Sequence, residues 1–267
     1  SASHPLPVTF DLWSHRFMRL LFLLIGLLAI SWSSTSTLLA SDPDSSDKIR
    51  IICIGDSITQ GGKRDREEYT YRYPLFQMLT DAGVPFDFIG TRDQGLHADA
   101  KWPDYENHSF DADHEGYYGA KTAKVRDKLK DNLGELPPPD IALIHLGTND
   151  QRSDDHRATI LEPLKEIVAL LREQNPEVTV LIGHLNFNGG AALKIRPMVE
   201  EITELSTDES RVATVNHFED WSELPSAPDT DTFDWAHPNP QGQRKMAEKW
   251  FAAMRPDLPL PSGYSVE

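Results

Sequence analysis

The sequence predicts an α/β protein: a three-layer α/β/α sandwich built around a five-stranded parallel sheet. Five short apolar segments have the length of strands, and segments with apolar residues at helical spacing separate them. Strands that alternate with helices favour a parallel sheet with right-handed crossovers, covered by helices on both faces. The predicted strands are 49–54, 86–89, 141–146, 178–182 and 212–215, and the predicted helices are 71–81, 122–132, 159–174, 191–205 and 241–254.

The first predicted strand ends in the polar pair Asp56 and Ser57. Residues 51–54 are four apolar side chains, three of them β-branched, which is typical of a strand buried on both faces. In parallel sheets ligands bind beyond the carboxyl ends of the strands, so Ser57 falls where a site is expected. Cys53, the only cysteine, lies inside this strand, which excludes an intrachain disulfide and a thiolate metal site.

The glycine-containing turn after this strand allows other interpretations. A phosphate-binding P-loop and a dinucleotide-binding turn both need a glycine at the position of Ser57, so neither pattern fits. Alternatively, Ser57 caps a helix and Gln60 completes a capping box. Gly61 and Gly62 argue against a helix there and favour a turn that leaves the Ser57 hydroxyl uncovered.

Two later segments differ sharply in pattern. The helix predicted at 159–174 carries an apolar stripe, which we interpret as core. The segment 91–118 has no periodic pattern, and loops of that length in compact domains tend to be functional. Its ring-bearing side chains either bind a hydroxyl-rich ligand or pack the loop onto the domain. They include Trp102, Tyr105, His108, Phe110, Tyr117 and Tyr118.

Further polar residues follow the later strands, at the same edge of the predicted sheet. The amide of Asn149 can offer an N–H above Ser57, although asparagine is also an ordinary turn residue. Asp234 precedes His237 by three residues in a turn that is stiffened by prolines. Its carboxylate can accept the Nδ1 proton of the histidine and direct Nε2 outward. The alternative for this turn is an Asx-turn with a surface histidine.

Together these positions supply what acyl transfer requires. Ser57 is the predicted nucleophile, His237 the base, and Asp234 the group that orients the base, while Asn149 donates to the oxyanion. The nucleophile elbow of the α/β-hydrolases is excluded, because Thr59 stands where that motif needs its last glycine. The sequence therefore predicts a serine-type hydrolase outside that fold.

Three segments resemble blocks I, III and V of the SGNH, or GDSL-type, hydrolases. They are Gly55-Asp-Ser-Ile-Thr59, Gly147-Thr-Asn-Asp150 and Asp234-Trp-Ala-His237, and the resemblance covers 49–254. It implies a flavodoxin-like SGNH hydrolase fold. It also implies an oxyanion hole formed by the backbone N–H groups of Ser57 and Gly119 and by the side chain of Asn149.

Two other segments are similar to secreted carbohydrate esterases of the acetylxylan esterase type. They are Asp87-Phe-Ile-Gly90 and His114-Glu-Gly-Tyr-Tyr-Gly119, although Ala120 stands where those esterases often carry tryptophan. The resemblance implies a serine esterase that removes small acyl groups, acetyl in particular, from carbohydrate through an acyl-enzyme intermediate. The alternatives are a lipase or thioesterase on the same fold, and a catalytically silent carbohydrate-binding protein.

The remaining predictions concern substrate contacts and cofactors. His217 ends a predicted strand and is a further candidate for the cleft. No metal or other cofactor is expected, because His114 and Glu115 have no third ligand at zinc-site spacing. The predicted substrate contacts are Asp56, Tyr117, Tyr118 and His184.

Charge and hydropathy restrict the partners and the compartment. The chain has 42 acidic and 26 basic residues, and no clustered basic stripe, so nucleic acid is not an expected partner. The apolar run at 20–30 follows a basic flank, as in a secretory signal peptide, with an uncleaved anchor as the alternative. We therefore expect a secreted or periplasmic protein with no stable membrane association after signal cleavage. The expected domains are an extension with signal peptide at 1–40, a linker at 41–48, the hydrolase domain at 49–255 and a tail at 256–267.

Overall fold

The computed structural model describes residues 48–62, 70–97 and 102–264. Its strands are β1 (Ile49–Gly55), β2 (Phe86–Ile89), β3 (Glu115–Gly116), β4 (Ile141–His145), β5 (Thr179–Gly183) and β6 (Val212–Val215). All pairings are parallel, and the sheet order is β2-β1-β4-β5-β6. The predicted parallel α/β sheet is confirmed. The two-residue strand β3, which pairs with the end of β1, adds to the predicted set.

The described residues form six α-helices, and all but the first lie close to the predicted bounds. They are α1 (Ser57–Gln60), α2 (Arg72–Asp81), α3 (Thr122–Asn132), α4 (Glu162–Gln174), α5 (Ala192–Glu200) and α6 (Pro240–Met254). A π-helix, Arg157–Leu161, leads into α4, and a 3₁₀ helix, Glu201–Leu205, continues α5. These two extensions account for the greater length predicted for α4 and α5.

The two faces of the sheet bury separate hydrophobic layers. On β1, Ile52 and Ile54 belong to the layer that includes α3, α4 and α5, whereas Ile51 and Cys53 belong to the layer that includes α2 and α6. This alternation follows from the two-residue period of a strand. The apolar stripe of α4 is buried in the first layer, as predicted. Because β1 is covered on both faces, its polar end is the part that remains available for a site.

A buried arginine anchors the loop that follows β1. Arg72 is fully buried, and its guanidinium donates to the carbonyl oxygens of Thr59, at 2.9 Å, and Ala112, at 2.6 Å. The rings of Trp102 and Phe110 lie beside it, with centroids 5.4 and 5.7 Å from the guanidinium carbon. Of the two interpretations of the unpatterned segment, packing onto the domain is therefore correct for these two side chains.

The two ends of the chain differ in how much the structure describes. The predicted signal peptide and linker, 1–40 and 41–48, lie outside the described residues except for Lys48. In the described part of the chain, no helix combines the length and the apolar character of a membrane span. Near the other end, Leu258 is buried and the ring of Tyr264 contacts Phe251 of α6. The segment predicted as a tail thus packs against the layer of α2 and α6.

Candidate active site

A one-turn helix, α1, presents Ser57 at the end of β1. Asp56 caps it, because its carboxylate accepts the N–H of Ile58 at 3.0 Å. Gly61 ends the helix with a φ of 70°, a left-handed conformation that favours glycine. The expectation that the glycines prevent a helix here is wrong, since they follow the turn and do not lie in it. Asp56 takes the capping role considered for Ser57, so the Ser57 hydroxyl is left free of the cap.

Ser57, His237 and Asp234 form one continuous hydrogen-bonded chain. Ser57 Oγ lies 3.0 Å from His237 Nε2, and His237 Nδ1 lies 3.1 and 3.0 Å from the two carboxylate oxygens of Asp234. The carboxylate partner assigns the proton to Nδ1, so Nε2 presents its lone pair to the Ser57 hydroxyl. Residues 180 positions apart in the sequence thus meet at one edge of the sheet. The arrangement can withdraw the proton from the Ser57 hydroxyl.

Hydrogen bonds hold Asp234 in its ionised form. Its Oδ1 also accepts the N–H groups of Ala236, at 2.9 Å, and His237, at 2.8 Å. Burial by itself raises the pKa of Asp234, but these N–H groups and the His237 ring outweigh it and hold the pKa well below the usual aspartate range. The carboxylate is therefore charged at neutral pH and can stabilise positive charge on the His237 ring.

Side chains that the sequence analysis did not single out fix the turn that carries His237. Thr232 Oγ1 lies 2.5 Å from the carbonyl oxygen of Asp234 and 2.8 Å from that of His237, so its hydroxyl proton is shared between them. The neighbouring Asp231 is fully buried, and its carboxylate accepts the Lys245 ammonium at 2.7 Å. The orientation of the histidine thus depends on a network beyond the carboxylate that bonds its ring.

The start of α6 also belongs to this turn. Asn239 caps the helix, because its side-chain oxygen accepts the N–H of Gly242 at 3.0 Å. A β-carbon on Gly242 would lie 2.1 Å from the carbonyl oxygen of Asp231, so only glycine fits there. Asparagine followed by proline is a sequence signal for a helix start, and this part of the network could have been predicted.

Two backbone N–H groups near α1 have no hydrogen-bond acceptor among the described residues. The N–H groups of Ser57 and Gly119 find no backbone acceptor within the described ranges. Gly119 has a φ of 70°, with open space where a β-carbon would stand. The N–H of the adjacent Tyr118 donates to Gln60 Oε1 at 2.7 Å, which ties the Gly119 loop to α1. The structure therefore places the predicted glycine beside the helix that carries the predicted nucleophile.

Asn149 lies in a 3₁₀ turn, Thr148–Asp150, directly after β4. Its Nδ2 donates to Asp56 Oδ2 at 3.2 Å and to the carbonyl oxygen of Ala120 at 3.0 Å. These two bonds use both hydrogens of the amide and link the loops that follow β1, β3 and β4. The Asn149 amide lies near α1, where a donor to the oxyanion is predicted, but it is bonded to protein acceptors. An oxyanion could receive one of its hydrogens only by replacing one of these bonds.

Of the predicted substrate contacts, Tyr118 lies at the site and Tyr117 does not. The Tyr118 ring is stacked on the His237 ring, with centroids 6.0 Å apart and planes 10° apart. The Tyr117 hydroxyl instead donates to Glu115 at 2.5 Å, and it accepts from the Asn132 amide at 2.9 Å. Tyr117 is thus held in a polar cluster beside α3, which corrects its assignment.

Three other candidates for the cleft are buried. Asp56 is fully buried, and burial raises its pKa to about 7 against the lowering effect of the N–H that it accepts. His184 is buried with its Nε2 bonded to Glu200, and burial lowers its pKa. The His217 ring is buried against that of Trp250, with centroids 4.6 Å apart. Asp56 and His184 are therefore corrected from substrate contacts to buried groups, of which Asp56 accepts the Asn149 amide and His184 bonds Glu200.

The fold and the site together define a class of enzyme. A parallel α/β/α sandwich with a serine, a histidine and an aspartate at the carboxyl edge of its sheet is typical of the SGNH hydrolases. Residues 53–245 match the GDSL-like Lipase/Acylhydrolase family, and the chain belongs to this family. The protein is therefore a carboxylic ester hydrolase.

Solved structures share the fold at low sequence identity. An acetyl esterase mutant with acetate ion is 20% identical, with a TM-score of 0.64, and the match covers 78% of this chain and 97% of that chain. A family 3 carbohydrate esterase from Talaromyces cellulolyticus is 22% identical, with a TM-score of 0.60 and coverage of 78% and 97%. A family 3 carbohydrate esterase from Clostridium thermocellum is 22% identical, with a TM-score of 0.60 and coverage of 79% and 96%. Identities this low show the fold alone, and comparison with curated proteins gave no match.

Proposed function

We propose that the protein is an exported serine esterase that hydrolyses acetyl esters of carbohydrate through an acyl-enzyme intermediate. The hydrogen-bonded chain of Ser57, His237 and Asp234 is the observation that carries this proposal. The acetyl esterase and the family 3 carbohydrate esterases among the structures of similar fold favour an acetylated carbohydrate as the substrate. The signal-like run at 20–30 favours export.

The reaction begins when Ser57 Oγ attacks the carbonyl carbon of the ester and His237 Nε2 takes the hydroxyl proton. The tetrahedral intermediate collapses as His237 returns that proton to the oxygen of the leaving alcohol, which leaves an acyl group on Ser57. Water then attacks the acyl group and gives a proton to the same nitrogen, which passes it to Ser57 as the acid departs. Asp234 stabilises the charged imidazole in both halves of the cycle.

The negative charge of each tetrahedral intermediate is assigned to three donors. Two are the backbone N–H groups of Ser57 and Gly119, and the third is Nδ2 of Asn149. The bond from Asn149 to Asp56, at 3.2 Å, is longer than its bond to Ala120, at 3.0 Å. We therefore expect the oxyanion to replace Asp56 as the acceptor, while the bond to Ala120 keeps the amide in place.

A serine-reactive fluorophosphonate probe tests the reaction directly. We expect the probe to label the folded wild-type protein once per chain. Ser57→Ala and heat-denatured wild-type protein are the controls, and neither is expected to be labelled. A catalytically silent carbohydrate-binding protein would also remain unlabelled, so absence of label on the folded wild type would overturn the proposal.

The acyl group is tested with p-nitrophenyl esters of increasing chain length and with acetylated glycans. We expect acetyl esters to be cleaved much faster than octanoyl esters, and acetylated xylan to release acetate. A preference for octanoyl or longer chains would instead support the lipase or thioesterase alternative on the same fold. Labelling of Ser57 combined with that preference would keep the mechanism and change the substrate.

A further inference from the structure

A cavity of about 440 Å³ opens beside the turn that carries His237. This volume lies within the range of about 300–1,000 Å³ that is typical of small-molecule sites. Its walls include Gln151, Phe187, Glu223, Leu224, Pro225 and Trp235. None of these side chains takes part in the proton transfers described above, so the cavity has a role still to be assigned. We refer to it as the Trp235 pocket.

The Trp235 pocket is built from the same loops as the candidate active site. Trp235 stands between Asp234 and His237, and Gln151 directly follows the turn that contains Asn149. Phe187 follows β5, and the amide of the residue before it, Asn186, donates to the Ala236 carbonyl at 3.2 Å. The chain connection through Trp235 and the bond from Asn186 therefore fix the position of the pocket relative to the His237 turn.

Two large apolar side chains of this pocket are exposed. Trp235 is 53% exposed and Leu224 is 64% exposed, although most large apolar side chains of the described residues are buried. The Phe187 ring contacts the Trp235 ring edge to face, with centroids 5.7 Å apart and planes 70° apart. The tryptophan is thus held at one edge while a large part of its surface remains open. Apolar surface gathered in one exposed concavity indicates a binding site.

The polar groups of the pocket restrict what it can bind. Glu223 supplies a carboxylate that accepts the N–H of Asn188, and Gln151 supplies an amide. Together with the net charge of −16, the carboxylate disfavours an anionic ligand. A neutral ring with hydroxyl groups at its edge can form hydrogen bonds with the polar groups, and its flat C–H face can pack on the tryptophan ring. A sugar residue has this chemistry.

The proposed reaction indicates which part of the substrate binds in the Trp235 pocket. His237 Nε2 must reach the oxygen of the leaving alcohol to protonate it, so the alcohol lies on the histidine side of Ser57. Trp235 is two residues from His237 and lines the pocket next to that turn. We propose that the Trp235 pocket binds the sugar residue on the alcohol side of the ester, with its C–H face on the indole. This inference rests on the proposed esterase function.

The test compares an acetylated xylo-oligosaccharide with ethyl acetate, whose leaving alcohol is too small to fill the pocket. We expect Trp235→Ala to raise KM for the oligosaccharide about tenfold, the scale of one lost ring contact, and to affect ethyl acetate far less. Trp235→Phe keeps an aromatic face and should restore most of the affinity. Leu193→Ala is the matched control, because Leu193 is 61% exposed but does not line the pocket.

The outcomes separate this inference from the esterase proposal. A wild-type protein that hydrolyses neither substrate would overturn the esterase function itself. If the wild type hydrolyses both, an equal loss on both substrates in Trp235→Ala would show that Trp235 only positions the His237 turn. Ethyl octanoate serves as a third substrate, and a loss in Trp235→Ala that is confined to this ester would show that the pocket holds the acyl chain. Either of the last two results would overturn the sugar subsite and leave the esterase activity standing.

Discussion

The hydroxyl of Ser57 is available to His237 because Asp56 caps α1 in its place. A serine at the start of a helix often accepts a backbone N–H through its own side chain, and here Asp56 accepts that bond from Ile58. Ser57 Oγ has His237 Nε2 as its partner instead, at 3.0 Å. Asp56 thus caps the helix, and the neighbouring Ser57 supplies the proposed nucleophile.

Substitution of the proposed nucleophile or base is expected to remove most of the activity. Ser57→Ala and His237→Ala should each lower kcat by roughly 10⁴-fold or more, because the two side chains act as one unit. For the same reason the double variant should be little worse than either single variant. Acetate release measured at saturating substrate checks this. Near wild-type turnover in either single variant would contradict the assignment.

Asp56 is expected to make stability depend on pH. Burial raises the pKa of Asp56 to about 7 in the folded protein, against about 4 in an unfolded chain. Between these values the folded state keeps a proton that the unfolded chain has lost, so the contribution of Asp56 to the free energy of unfolding falls as pH rises. Asparagine does not titrate, so Asp56→Asn lacks this pH-dependent contribution. The amount by which its free energy of unfolding lies below that of the wild type should therefore decrease as pH rises from about 4 to about 7.

Urea denaturation at several pH values measures this difference. Asp208→Asn is the control for the loss of a carboxylate at the surface, since Asp208 is exposed. A constant difference between Asp56→Asn and the wild type across the same range would contradict the prediction. Loss of activity in Asp56→Asn is a separate expectation, because the new side chain has one oxygen for two donors, the Ile58 N–H and the Asn149 amide, which bond to separate oxygens of Asp56.

At the scale of elements, the site is an assembly of loops held by side chains from neighbouring segments. Arg72 in α2 fixes the loop after β1, and Asn149 joins that loop to the one that follows β3. Thr232 and Asn239 fix the turn before α6. The sheet positions the ends of the strands, and these bonds orient the side chains that extend beyond them.

Thr232 is expected to affect catalysis without touching substrate. Thr232→Val removes the hydroxyl that bonds the carbonyl oxygens of Asp234 and His237, while it keeps the shape of the side chain. A histidine displaced by about 1 Å lowers turnover by up to about 10²-fold, so kcat should fall while KM changes little. Thr232→Ser keeps the hydroxyl and should restore most of kcat. A valine variant with wild-type kcat would show that the bond does not position His237.

At the scale of the whole molecule, the interior contains neutral histidines. His145 and His217 are fully buried, and their ring nitrogens have no hydrogen-bond partner among the described residues. Burial lowers the pKa of His145 to about 4 and holds that of His217 well below the usual histidine range. An unfolded chain binds a proton on each ring at about pH 6.5, so these residues favour unfolding as pH falls below that value.

His217→Phe tests this effect, because phenylalanine keeps a ring against Trp250 and cannot be protonated. The titratable groups that act on His217 are His145, Lys249 and His184, and all three remain in the variant. We expect the free energy of unfolding of the variant, relative to the wild type, to increase as pH falls from about 6.5 to about 4. Thermal denaturation over this range measures it, and a difference that does not change with pH would contradict the assignment.

The pH dependence of the free energy of unfolding of the wild type alone says less about His217 than the difference between His217→Phe and the wild type. The buried carboxyl of Asp56 and the partly buried carboxyl of Asp111, whose pKa values are raised to about 7 and about 6 mainly by burial, act in the opposite direction over part of the same range. Their contribution to stability falls as pH rises, whereas that of the histidines increases. The two trends partly cancel in the wild type, and single variants separate them.

The sequence by itself determined the order of the five longer strands and the five longer helices, because apolar spacing is a local property of the chain. The run at 51–54 indicated a strand covered on both faces, and the stripe in α4 indicated a buried helix face; both are confirmed. It also indicated the edge of the sheet at which a site would form, since Ser57 and Asn149 lie within a few residues of the ends of strands whose carboxyl ends share that edge.

The sequence predicted that Ser57, His237 and Asp234 act together, but only the tertiary structure decided their geometry and the other partners of the polar side chains there. The contact of Ser57 with His237 joins segments 180 residues apart, and the bonds of Asn149 depend on the packing of three loops. The burial of His184 and the packing of Trp102 against Arg72 likewise leave no periodic signal in the sequence. Local periodicity reports which face of an element is covered, whereas the partners of a polar atom are set by the three-dimensional arrangement of distant segments.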